Sequence, residues 1–179
     1  KSKGIILLGT NIDKPNINLI RKQFKNLVIL DTHYSDVDAN FVSINNFLGG
    51  YSAAEFLIDN GHKKIGYIMG IPRIANFTER QRGFFSKLHN EGLSVSDDYT
   101  FKFPAMEIQE GSELDEVFLN VEDLPTAIFC ENDYMAISLI KYLKNSNIHV
   151  PEQISVVGFD DIPESRVTTP ELTTIQVDK

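Results

Sequence analysis

Four groups of polar side chains in this 179-residue chain stand where short apolar runs end. Asp31 follows Leu27-Val28-Ile29-Leu30, and Glu131-Asn132-Asp133 follows Ala127-Ile128-Phe129-Cys130. Asp160-Asp161 closes Ile154-Ser155-Val156-Val157-Gly158-Phe159, and the loop after Ile65–Met69 leads to Asn76 and Arg80 at the start of a helix. Carboxylates accept, a guanidinium donates and an amide does both. Together these types suit directed hydrogen bonding to a small, hydroxyl-rich molecule. Each also has a purely structural role open to it. Asp is strongly favoured at helix N-caps, and capping is the better reading of Asp133, which precedes an apolar-periodic stretch. For Asp160, capping and ligand contact are evenly matched, and Arg80 is equally at home as a solvated helix residue.

Covalent and metal chemistry find little support. Cys130 has no neighbouring base in sequence, and His33, His62, His89 and His149 are scattered without metal-ligand spacing. No G-x-G-x-x-G follows a strand, and neither G-x-x-x-x-G-K-[ST] nor G-x-S-x-G occurs. Gly49-Gly50 precedes a helix but lacks a Lys to hold a phosphate, so close helix–sheet packing is the expected reason for it. Asp160-Asp161 lacks the early acid pair and the strand-end Lys of a phospho-acceptor site. The chain reads as no enzyme, with no cofactor and no metal.

The elements that must position these groups alternate along the chain. Buried strands are expected at Ile5–Leu8, Leu27–Leu30, Ile65–Met69, Ala127–Cys130 and Ile154–Phe159, with shorter extended pieces at Phe41–Ile44, Tyr99–Phe103 and Leu172–Val177. Helical periodicity covers Phe47–Asn60, stopped by Gly61, and a stretch from near Thr78 to Gly92 that buries Phe84, Phe85 and Leu88. An acidic amphipathic helix with Leu114, Val117 and Phe118 inside comes next, then one that starts at Asp133. Near-continuous apolar strands alternating with helices predict an α/β fold, a doubly wound parallel sheet covered on both faces. Such sheets bind ligands beyond the carboxyl ends of their strands, where the polar groups lie.

Composition narrows the partners. The net charge is -8 with a pI near 5.0, and the segment between Phe103 and Ile140 holds nine acids and no Lys or Arg. Nucleic-acid phosphates attract clustered cations, so the chain by itself is a poor DNA binder. No run approaches the ~20 apolar residues of a membrane helix, and one cysteine fits a reducing cytosol. The opening Lys1-Ser2-Lys3 runs straight into a strand, which suggests a piece of a longer chain.

Several segments, taken jointly, resemble LacI/GalR-type transcriptional regulators. Val150-Pro151-Glu152-Gln153-Ile154-Ser155-Val156-Val157-Gly158-Phe159-Asp160-Asp161-Ile162-Pro163, with Pro170-Glu171-Leu172-Thr173-Thr174-Ile175, is similar to the signature of that family. Gly49-Gly50-Tyr51-Ser52-Ala53-Ala54 through Gly61-His62-Lys63-Lys64-Ile65-Gly66 resembles its G-G-x-x-A…G-H-x-x-I stretch. Glu79-Arg80-Gln81-Arg82-Gly83-Phe84 matches its R-x-x-G-[FW] helix, and Pro125-Thr126-Ala127-Ile128 through Asn132-Asp133-Tyr134-Met135-Ala136 its P-T-A-[IV]…N-D-x-M-A.

The resemblance implies a periplasmic-binding-protein-like region of two lobes: residues 1–44 in the amino lobe, 45–175 in the carboxyl lobe and 176–179 starting back across. It implies effector contacts at Arg80, Asn132 and Asp160, a lesser one at Asp31, Asn76 near the ligand and Phe103 as a stacking ring. The implied function is that of a repressor's sensing region, in which a small metabolite, most commonly a sugar, controls DNA binding by a helix-turn-helix outside this chain. Implied partners are a second copy in a homodimer, operator DNA and, in some members, a phosphocarrier protein as corepressor; the implied location is the cytoplasm. An extracytoplasmic sugar-binding protein of a transporter, which shares the fold, is the competing expectation.

Overall fold

The computed structural model describes residues 3–105 and 123–178; the acidic helix expected around Leu114–Phe118 lies outside them. Three short parallel strands, β1 (Ile5–Leu8), β2 (Leu27–Leu30) and β3 (Asn40–Val42), form a first sheet in that order. Ile5 pairs with Leu27 and Val28 with Asn40. Helix α1 (Lys14–Gln23) joins β1 to β2; Asp13 caps it by accepting the Asn16 N–H, and Pro15 suits its first turn. Its Ile17, fully buried, packs with Leu27 and Ile29 on one face of the sheet. The other face carries Ile6 and Leu8, 73% and 67% exposed.

A second sheet of five parallel strands follows: β4 (Ile65–Ile71), β5 (Thr100–Pro104), β6 (Ala127–Cys130), β7 (Ser155–Asp160) and β8 (Thr173–Gln176), in the order β5-β4-β6-β7-β8. Successive side chains of a strand point to opposite faces, and here both faces are apolar. Tyr67, Phe129, Val157 and Phe159 pack under α2 (Asn46–Asp59) and α3 (Ala75–Asn90), while Ile68, Ile128, Cys130 and Val156 pack under α4 (Asp133–Asn145). This is the expected α/β architecture of doubly wound parallel strands. It sets the carboxyl ends of β4, β6 and β7 side by side.

The two helices on the first of these faces touch backbone to backbone. A Cβ on Gly50 of α2 would stand 2.0 Å from the Arg80 carbonyl oxygen of α3, and one on Gly83 of α3 would stand 1.9 Å from that of Phe47. Gly49 meets the Phe159 ring instead. The Gly49-Gly50 pair thus serves helix–sheet packing at its first member, as expected, but helix–helix packing at its second. Close approach of α2 to α3 is what carries Arg80 to the strand ends.

Two local expectations are corrected. Helix α3 begins at Ala75, ahead of Thr78: its N-cap is Ile74, which offers no side-chain acceptor, and Thr78 Oγ1 instead donates to the Ile74 carbonyl. No capping residue marks that start in sequence. At α4 the cap is Asn132, whose Oδ1 accepts the Met135 N–H at 3.0 Å, rather than Asp133. Asp133 is fully buried and accepts from the Ile162 N–H, the Ser165 hydroxyl and the Thr174 hydroxyl at 3.0, 2.7 and 2.6 Å. It therefore ties the segment after β7, and β8 itself, to the start of α4.

Two outcomes test this packing. Gly83→Ala drives a methyl into backbone, which overpacking places at about 1–3 kcal/mol of lost stability, read as a lowered urea midpoint. Burial raises the Asp133 carboxyl above its usual 3.8, against the pull of its hydrogen-bond donors. The native state then holds a proton that the unfolded chain releases, so this group's contribution to stability falls as pH rises through the interval above 3.8. Urea midpoints between pH 4 and 7 carry that extra slope in the wild type and lack it in Asp133→Asn; identical slopes would refute it.

Candidate functional site

Arg80 is the centre of the polar network at the strand ends. It is 4% exposed, and its three nitrogens reach three elements. Nε donates to Asn46 Oδ1 at the start of α2 at 2.9 Å, Nη1 to the Glu131 carbonyl after β6 at 2.5 Å, and Nη2 to Asp160 Oδ1 at the end of β7 at 3.0 Å. The guanidinium also lies 3.7 Å above the Phe159 ring. Burial pulls its pKa down from the usual value, and the Asp160 carboxylate opposes that shift. Asp160 is left 30% exposed at its side chain and sits at φ 112, a backbone conformation rarely adopted by L residues. Strain of this kind persists only where the surroundings enforce it, and the Arg80 bond is one such enforcement.

One helical turn before Arg80, on the same face of α3, Asn76 reaches the other sheet. Its Nδ2 donates to the carbonyl and to Oδ1 of Asp31 at 3.0 and 3.1 Å. Asp31 follows β2 at φ 59, and its second carboxylate oxygen accepts the Thr10 hydroxyl at 2.5 Å. Asp tolerates this left-handed conformation better than most residues. A single face of α3 therefore holds the carboxyl ends of strands from both sheets.

The structure thus joins Arg80 to Asp160 and Asn76 to Asp31. Asn132 stands near them but spends its side chain internally, with Oδ1 on the α4 cap and Nδ2 donated to the Ala105 carbonyl at 2.6 Å. Phe103 is not at the rim. It is 1% exposed within the core formed with Ile68, Ile128 and Met135, because alternation along β5 turns it inward. The ring expected to stack on a ligand is a core residue.

Two cavities flank the Asp31–Asn76 contact, and Ala75 borders both. One, about 330 Å3, lies between Thr10, Ile12 and Tyr34 on the first sheet's side and Arg73, Phe77 and Ala105 on the second's. The other, about 480 Å3, is bounded by His33, Ser35, Asn46, Asn76, Glu79 and Arg82. Arg80 and Asp160 border neither cavity, and the Asp160 side chain keeps its 30% exposure at the end of β7.

Sequence reasoning missed Arg73 and Tyr34, and it offered the Glu131 carboxylate to a ligand at the rim, whereas the structure buries it. Glu131 is fully buried, accepts from the Tyr67 hydroxyl, the Gly70 N–H and Arg73, and is raised in pKa by burial against the pull of those donors. A buried acid at a strand end beside an arginine in the next loop was the available signal. Burial also pushes the Cys130 thiol well up, the opposite of the shift that activates a nucleophilic cysteine. No group of metal-ligating side chains and no helix long and apolar enough to cross a membrane occurs among the described residues.

Residues 54–179 match the periplasmic binding protein-like domain family. Over 177 residues the chain is 32% identical to the helix-turn-helix transcriptional repressor PurR of Mannheimia succiniciproducens, covering 98% of this chain and 53% of that protein. It spans about half the length of the curated relatives it matches. A LacI transcriptional regulator of Bacillus cereus subsp. cytotoxis superposes with a TM-score of 0.86 at 25% identity, over 98% of this chain and 62% of that one. A sugar-binding LacI-family regulator of Escherichia coli, complexed with phosphate, superposes with a TM-score of 0.84 at 25% identity, over 96% and 62%. These relatives are regulators of transcription, not enzymes. On its own matched residues the chain belongs to the periplasmic binding protein-like domain family, and almost from end to end it is similar to transcriptional regulators of the LacI type.

Proposed function

We propose that this chain is the sensing region of a cytoplasmic transcriptional repressor, in which a small polar metabolite bound between the two sheets controls operator binding by a helix-turn-helix elsewhere in the protein. One observation carries the reading. A single face of α3 grips both sheets, through Asn76 to Asp31 and through Arg80 to Asp160, beside cavities that open between them. A ligand in that space is in position to change how the sheets are held, and only a ligand that favours one arrangement shifts the population. The Escherichia coli relative is a sugar-binding regulator, which supports a sugar as the ligand class.

Residues 1–44 act as part of the amino lobe and 45–175 as the carboxyl lobe, with 176–179 leading back. Asp160, held by Arg80, is the acceptor at the rim, while Asn132 and Phe103 act by fixing the loop and the core around it. The working unit is a homodimer on operator DNA, with a phosphocarrier protein as a further corepressor. Whole-chain similarity to repressors disfavours a transporter's extracytoplasmic sugar-binding protein.

Titration of the full-length protein with sugars and nucleobases, read by operator binding, is the direct test. At least one ligand should change operator affinity 5–150-fold, a coupling of about 1–3 kcal/mol; if none does, the sensing role is wrong. Two variants separate grip from transmission. Asp160→Ala should destabilise the fold by about 3–5 kcal/mol, because it strands the buried Arg80 charge, and should weaken ligand binding. Asn76→Ala should retain ligand binding by calorimetry while its operator response shrinks, and an unchanged response would remove the Asp31–Asn76 contact from the mechanism.

A further inference from the structure

Arg73 stands on the loop between β4 and α3 and is the cation bordering the 330 Å3 cavity among the described residues. Its Nη1 donates to Glu131 Oε2 at 2.5 Å and to the Gly70 carbonyl at 3.5 Å, and its Nη2 to Gln81 Oε1 at 3.2 Å. A guanidinium has five N–H donors. Those three bonds leave Nε–H and one Nη2 hydrogen without a partner among the described residues. These two nitrogens form one edge of the planar group, and such an edge matches the paired oxygens of a carboxylate or phosphate.

Glu131 fixes that edge from behind. It is fully buried, and its carboxylate also takes the Tyr67 hydroxyl on Oε1 at 2.5 Å and the Gly70 N–H on Oε2 at 2.7 Å. Turning it would strand several buried donors at once. The Phe77 ring lies 5.7 Å from the Arg73 guanidinium, and Tyr34 and Ile12 form the wall on the first sheet's side. The other charged lining residue, Asp13, directs an oxygen to the cap of α1. The cavity thus has largely apolar and aromatic walls and one guanidinium held in place by a buried carboxylate, near the lower end of the 300–1,000 Å3 usual for small-molecule sites.

We propose that Arg73, positioned by Glu131, selects effectors carrying an anionic oxygen group, a carboxylate or a phosphate, on a ring that packs between Tyr34 and Phe77. The assignment rests on the effector-binding reading above and sharpens its ligand class. Neutral polyols leave the charged fork only partly matched, whereas an anion forms two charge-assisted bonds with it.

The test uses full-length protein and matched pairs of compounds, by calorimetry: glucose with glucose 6-phosphate, galactose with galacturonate, adenosine with adenosine monophosphate. At least one anionic member should bind about 10-fold or more tighter than its neutral partner, and the pairs tell a phosphate from a carboxylate. Arg73→Ala should lower the anionic affinity about 10–100-fold, the equivalent of the charged bonds removed, and leave the neutral affinity near its starting value. Glu131→Gln should reduce the same ratio by a smaller factor. The ratio is decisive, because a purely structural loss weakens both members alike. Where Arg73→Ala fails to fold around the stranded acid, Arg73→Ala with Glu131→Gln supplies the same measurement. Equal affinity within every pair, or a ratio that survives loss of Arg73, overturns this inference alone. Failure of all six compounds to bind overturns it as well, whereas the effector-binding reading falls only if the operator titration with sugars and nucleobases also shows no response.

Discussion

A guanidinium withdrawn from water must find partners for its donors, and the rim of this protein is arranged around that requirement at Arg80. Removing such a charge from solvent costs several kcal/mol unless geometry and hydrogen bonds compensate. Here Asn46, the Glu131 carbonyl, Asp160 and the face of Phe159 all do so. Because these partners come from α2, the end of β6 and the end of β7, one side chain fixes the relative positions of three elements. The strained backbone of Asp160 is tolerable within that frame.

Arg80 reaches these partners only because α2 and α3 approach without side chains between them. Gly50 and Gly83 occupy the contact, each against the opposing helix backbone, and a methyl at either position would push the helices apart. The same helix carries Asn76 to Asp31 of the first sheet. Packing at two glycines, a buried charge and an inter-sheet contact are therefore links in one mechanical chain. The cavities on either side of the Asp31–Asn76 contact lie where occupancy would act on it.

Most of this was legible from local pattern. Apolar runs of four to six residues marked the buried strands, and the 3.6-residue period marked α2 and α4. Polar residues just past those runs marked the rim, since parallel strands deliver their carboxyl ends to one side. What misled were positions whose role depends on neighbours remote in sequence. Asp133 has the composition of a cap, yet its acceptors are spent on Ile162, Ser165 and Thr174. Phe103 could have faced either way until β5 paired beside β4 and set its register. Helix α3 starts at Ile74 and Ala75 without any capping side chain, so its first turn left no mark.

The amino-acid order by itself determined the α/β class, the strand ends as the place for polar chemistry and the absence of a recognisable nucleophile–base pair. Those properties follow from periodicity and residue type, which are local. Tertiary structure alone decided that Arg80 pairs with Asp160 across 80 residues, that Asn76 binds the first sheet and that Glu131 sits behind Arg73. Hydrogen bonds and charge pairs depend on distances of a few ångströms, and a chain specifies those only once its helices and sheets have packed.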